Sequence, residues 1–244
     1  AGRLRLYHGE ALRLAGRPRE AEPELRKALE AARENVETTV AAAQSLANTL
    51  IQLGRSGEAW EFYRQAAEAA PDDSVRSTIH LDWARAAISA GAPDMAAAQC
   101  AAARARASGR QLITVWQTEG QIAQSTGNYA RAARCYREAI ALPGQSPADT
   151  GNLYTDLTTA LIRLNDRAGA LEAAEKARAM LPTGKARLQL DETLAGGLLE
   201  WRKPGDALPI LTKLVATIQS EHGENSELLI NPLNSLGSAQ HLTG

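Results

Sequence analysis

Apolar and small residues along this chain repeat at helical spacing, and the helical segments themselves repeat about every 37 residues. The clearest stretch runs from Trp116 to Pro143. Trp116 and Gly120 stand four apart and share one face of a first helix. Gly127 and Asn128 interrupt it, after which Ala132, Tyr136 and Ala139 fall at i, i+4 and i+7 on one stripe of a second helix. A small residue opposite a small residue lets two helices approach closely, and the aromatic ring fills the space beside them.

The pattern recurs along the chain. The residues expected at the turn between two helices are Gly16, Gly54, Gly91, Gly127, Asn165, Arg202 and Gly244. Glycine and asparagine suit a helix end that closes through a left-handed residue, whereas Arg202 departs from that rule and relies on Pro204 and Gly205 to break the helix. On the second helices the small residue is Ala21, Ala59, Ala96, Ala132, Ala170 and Ala207. Four residues on stand Leu25, Tyr63, Cys100, Tyr136, Ala174 and Leu211. The facing positions on the first helices are Gly9, Ala47, Ala84, Gly120, Thr158, Ala195 and Gly237.

This repeating triplet resembles the tetratricopeptide repeat, whose signature is about 34 residues long. The resemblance covers the whole chain and implies an all-α, right-handed α-solenoid of about six helix-turn-helix hairpins plus a final unpaired helix. The repeats then run over 1–36, 37–73, 74–109, 110–146, 147–183 and 184–223, with a partial one over 224–244. Pro23 and Pro209 each follow the small alanine of a second helix by two residues, and their segments resemble kinesin-light-chain-like arrays. A proline there implies a local widening or a late helix start. The third hairpin is thinned to alanine, so Trp83 must fill more of its space. Gly196-Gly197 lies mid-helix, implying either a neighbour packed against it or a kink, with packing the favoured reading. On the last helix Leu229, Leu233 and Leu236 are expected to face nothing, so the parent protein is expected to continue, and the uncapped helix offers a route to self-association.

Composition narrows the function. A formal net charge of -1 and a pI near 6.5 give no footprint for nucleic acid or for an anionic membrane surface. No apolar run is long enough to be inserted in a bilayer. The excess of arginine over lysine and the abundant alanine suggest a GC-rich bacterial gene. Cys100 and Cys135 are expected as small buried hydrophobes. The four histidines are scattered, and expected to be solvated or at hairpin ends, without metal-ligand spacing. No phosphate loop and no nucleophile beside a base can be traced, so the expectation is a non-enzyme with no cofactor. The compartment is not specified, although the reading leans cytoplasmic.

The resemblance implies binding of a protein or peptide on an inner wall lined by first helices. Facing away from the small-residue seam there, the sequence places Gln44, Asn48, Arg85, Gln117, Gln121, Gln124, Asn152, Thr155 and Arg163. Amide side chains both donate and accept, so they can read a peptide backbone whatever its sequence. The family's clamp for chaperone C-termini needs lysines on consecutive first helices; Asn48 matches one slot, but Leu6, Asp82 and Glu192 stand among the corresponding faces. The alternative is a sensory or regulatory segment of a larger bacterial signalling enzyme, such as a kinase, a caspase-like protease or an NTPase.

Overall fold

The structure is a computed structural model and describes residues 2–32 and 35–243. The turn expected at Gly244 lies outside them. The described residues form α-helices and one 3-10 turn, with no strand. First helices are α1 (Gly2–Leu14), α3 (Val36–Gln52), α5 (Asp73–Ser89), α7 (Gly109–Ser125), α9 (Pro147–Arg163) and α11 (Lys185–Glu200). Second helices are α2 (Pro18–Ala31), α4 (Ser56–Ala69), α6 (Pro93–Arg104), α8 (Tyr129–Ala141), α10 (Arg167–Met180) and α12 (Pro204–His222). The 3-10 turn Glu227–Leu229 leads into a last helix, α13 (Ile230–Thr243).

The chain divides into two compact units, 1–126 and 127–244, so the division falls at the turn after α7. In the first unit α1–α2, α3–α4 and α5–α6 are antiparallel hairpins stacked in chain order, and α7 packs on α5 and α6. The first helices α1, α3, α5 and α7 therefore stand side by side. In the second unit α8 packs on α9, followed by the hairpins α9–α10 and α11–α12 and then α13, with α9, α11 and α13 side by side. Each unit is a helical solenoid in miniature.

Local chemistry explains where the helices stop and restart. Gly16, Gly54, Gly91, Gly127, Asn165 and Arg202 all adopt positive φ. At Gly54 the chain leaves α3 through bonds from Gly54 N–H to the Ile51 carbonyl (2.9 Å) and from Arg55 N–H to the Leu50 carbonyl (2.8 Å). That arrangement satisfies carbonyls the helix end would otherwise leave open. Arg202 makes the same turn, with Lys203 N–H on the Leu198 carbonyl at 2.9 Å, and pays in backbone strain what glycine avoids. The next helix starts on proline at Pro18, Pro93 and Pro204 and under a side-chain cap at Asn128 and Asp166, whereas α4 starts at Ser56 with neither.

The small-residue seam forms the core. The six alanines from Ala21 to Ala207 are fully buried, as are Tyr63 and Tyr136 beside them. A Cβ built on Gly9 would meet Leu25 Cγ at 2.7 Å, so only glycine lets α1 come so near α2. The two mid-helix glycines behave differently from each other. Gly197 lies against Ile162 of α9, where an added Cβ would meet Cδ1 at 2.7 Å, whereas Gly196 faces open space. Helix α11 runs unbroken through both.

Some expectations need correction. Pro23 and Pro209 lie inside α2 and α12, five residues past each helix start, so there is no late start. Both prolines are exposed, so the carbonyl deprived of a partner lies on the solvated side, where water can reach it. On the last turn and helix, Leu229 is buried against Leu214, Val215 and Ile218, and Leu236 packs on the same cluster. Only Leu233 of the three stays exposed, joined there by Ile230 and Leu242. His80 is half-buried rather than solvated; its Nδ1 lies 2.7 Å from Gln99 Oε1 and its ring stacks on Trp83. Trp83 stacks on Trp60 and Tyr63 of the second hairpin and on His80 of its own helix.

Candidate functional site

The side-by-side first helices of the first unit present a polar wall. Its side chains hold one another from helix to helix. Gln44 on α3 donates to Asp82 on α5 (3.3 Å). Asp82 accepts from Arg85 one turn later (3.0 Å), and Arg85 reaches across to the Thr118 hydroxyl on α7 (2.9 Å). Closer to the chain start, Ser45 on α3 donates to Glu10 on α1 (2.8 Å), which also accepts from Arg13 (2.8 Å). Three first-helix interfaces are thus bridged by polar side chains.

Asp82 sits at the centre of this ladder. Burial pushes its carboxyl above the ordinary carboxylate range, and the Arg85 guanidinium beside it offsets only part of that. Tyr63, on the seam behind, donates its hydroxyl to Asn48 Oδ1 at 2.6 Å. Burial, reinforced by the Asp82 charge, raises the Tyr63 phenol so that it stays a neutral donor. Asn48 is therefore oriented by the core: its oxygen is occupied and its amide group remains available to the wall.

The predicted positions fall out unequally. Gln44, Asn48, Gln117 and Gln124 are half-buried, while Arg85 and Gln121 are exposed. Gln44 and Arg85 belong to the ladder, and Asn48 is tied to it through Tyr63. In the second unit Asn152 is exposed, and Arg163 bridges α9 to α11 through Glu200 (3.2 Å). Thr155 is buried and donates to the Gly151 carbonyl of its own helix, so it offers nothing to a partner. The residues that sequence reasoning missed are Glu10, Arg13, Ser45, Asp82 and Thr118. A signal existed: Ser45 and Glu10, Gln44 and Asp82, and Arg85 and Thr118 are each separated by about one repeat.

No group of three or more His, Cys, Asp or Glu side chains among the described residues could hold a metal ion. Cys100 and Cys135 are both buried. Among the described residues, no helix is long and apolar enough to cross a membrane.

Fold and wall together define an all-α helical-repeat protein, built from hairpins whose first helices carry polar side chains outward. The chain carries tetratricopeptide repeats: the model of that family matches residues 40–73 and 113–145, which are α3–α4 and the α7–α8 stretch. No curated protein matches the sequence. Solved structures share the fold. PilW, described as a widely conserved type IV pilus biogenesis factor, is 16% identical with a TM-score of 0.64, over 95% of this chain and 98% of its own. PilF of Pseudomonas aeruginosa is 12% identical with a TM-score of 0.60, over 98% and 96%. BtubC (BKLC) from P. vanneervenii is 21% identical with a TM-score of 0.56, over 70% and 76%. A chain of the Cut9–Hcn1 hetero-tetramer of the APC/C aligns over 98% of this chain at 16% identity and a TM-score of 0.58, yet this chain spans only 43% of its length.

Proposed function

We propose that this protein is a scaffold that binds a protein or peptide along the wall made by its first helices. The observation that carries this reading is the ladder Gln44–Asp82–Arg85–Thr118, which fixes polar side chains across α3, α5 and α7 while leaving hydrogen-bonding groups exposed. Fixed donors and acceptors lose little conformational freedom when a partner arrives, so they suit recognition of a peptide backbone. Beside the ladder, the amides of Gln117 and Gln121 and the remaining N–H groups of Asn48 and Arg85 supply further donors. Asn152 and Arg163 extend the reading to α9 in the second unit.

The test uses the whole chain as bait in extracts of the native host, beside the Arg85→Ala/Gln121→Ala double variant. Gln121 is exposed, but Arg85→Ala also removes the bonds to Asp82 and Thr118, so the two proteins are compared below the melting midpoint of the variant. A partner held by the native chain and lost by the variant is the expected result. A partner held equally by both would remove the wall from the binding surface.

A further inference from the structure

The second unit contains a cleft between the second helices α8 and α10. It encloses about 220 Å³, floored by Leu157 and Leu161 of α9 and by Ala173 of α10, and walled by Ile140 and Tyr154. Leu157, Leu161 and Ala173 are buried residues, so the floor belongs to the fixed core. The rim carries one cation on each bank, Arg137 on α8 and Lys176 on α10. Lys176 lies over the Tyr154 ring and bonds Glu172 at 2.6 Å. Arg137 makes no hydrogen bond or ion pair with any described residue.

The repeat itself shows that this space is a departure. One position after the small alanine of the second helix, α4 has Trp60 where α8 has Ala133. One position before the seam residue of the next first helix, α5 has Trp83 where α9 has Leu157. On the following second helix Met95 and Gln99 of α6 correspond to Gly169 and Ala173 of α10. In the first unit the large members fill the region: Trp60 and Trp83 stack, Met95 packs against the same core, and Gln99 donates to Met95 Sδ at 3.4 Å. In the second unit all four positions carry smaller side chains, and the apolar floor is left open.

We propose that this cleft docks a partner's chain at an internal segment in which one bulky apolar side chain is flanked by acidic residues. The volume suits a single aliphatic or aromatic side chain, being below the range of pockets built for whole small molecules. The unpaired guanidinium of Arg137 calls for a carboxylate, and the Lys176 ammonium has donors beyond its one bond to Glu172, so acids on both sides of the buried residue match the two banks. A chain terminus would supply one carboxylate only. The cleft opens between second helices over a floor from α9, and none of its lining residues is one of the wall residues named above.

The experiment titrates the 15N-labelled full chain with the peptide acetyl-Gly-Asp-Leu-Asp-Gly-amide, with its Asn-Leu-Asn counterpart, and with acetyl-Gly-Asn-Leu ending in a free carboxylate. Shifts should concentrate on α8, α9 and α10, with the acidic peptide binding at least about fivefold more tightly than the amide counterpart. Arg137→Gln should reduce that preference, and Ala173→Gln, which installs the residue found on α6, should abolish binding without altering the rest of the spectrum. Equal affinity for both peptides, or binding that survives Ala173→Gln, would overturn the proposal. So would tighter binding of the free-terminus peptide. Should Ala173→Gln fail to fold, the charge comparison with Arg137→Gln, on the exposed rim, decides alone.

Discussion

At Arg202 a single backbone angle shows what the repeat demands. The turn between α11 and α12 needs a left-handed residue, and Arg202 takes φ of +58° where four other turns use glycine. A side chain in that region costs about 1–2 kcal/mol, partly offset by glycine's greater freedom in the unfolded chain. Arg202→Gly should therefore stabilise the protein by roughly 1 kcal/mol, read as a higher midpoint in urea. A lower midpoint would mean that the arginine makes a compensating interaction. His80 makes a second prediction at this scale. Burial lowers its pKa below the ordinary 6.5, the Gln99 bond opposes that, and Arg106 and Arg76 add to it. The unfolded chain then binds more protons than the folded one in the window below pH 6.5, so His80's contribution is present above it and fades as pH falls. His80→Gln should flatten the loss of stability between neutral and mildly acidic pH; a parallel loss in both proteins would remove His80 as its source.

At the scale of the helix pair, volume decides. Ala59 and Ala132 are fully buried on the seam, with no space for a longer side chain. Ala59→Leu or Ala132→Leu should each destabilise by about 1–3 kcal/mol, and an unchanged melting temperature would contradict the seam. The two glycines of α11 give a sharper comparison, because they are neighbours with opposite surroundings. Gly196→Ala meets nothing within 4 Å and should gain up to about 1 kcal/mol of helix propensity. Gly197→Ala places its Cβ 2.7 Å from Ile162 Cδ1, so a buried side chain must move and the gain is cancelled. Equal effects on stability at the two positions would show that α11 is not held against α9 there.

Across the molecule, the fold was legible in the sequence because one geometric requirement is repeated. Every close helix approach needs a small residue at the same slot, and every turn needs a left-handed residue after the first helix. The polar wall was less legible. Glu10–Arg13 and Asp82–Arg85 look, at their three-residue spacing, like ordinary solvated pairs on one helix; what distinguishes them is their bonds to neighbouring first helices, at Ser45, Gln44 and Thr118. The cleft of the second unit escaped attention for the opposite reason, since small residues at Gly169 and Ala173 carry no signal until they are set beside Met95 and Gln99.

Because within each unit the main helix contacts among the described residues join near neighbours in the chain, stability is a local sum rather than a shared one. The helices should then differ widely in how readily they open. Helix α3 buries nine of its residues between α1, α2, α4 and α5, whereas α13 buries only Pro232 and Ala239 and leaves Ile230, Leu233 and Leu242 exposed. Native-state hydrogen exchange should find α13 opening at a small fraction of the free energy needed for α3. Mid-helix Gly237 lowers the propensity of α13, and the loss of buried contacts adds to it. Protection in α13 equal to that of α3 would mean that the exposed apolar face of the last helix is covered in solution. In that case a concentration dependence of the exchange would identify the cover as another copy of the chain.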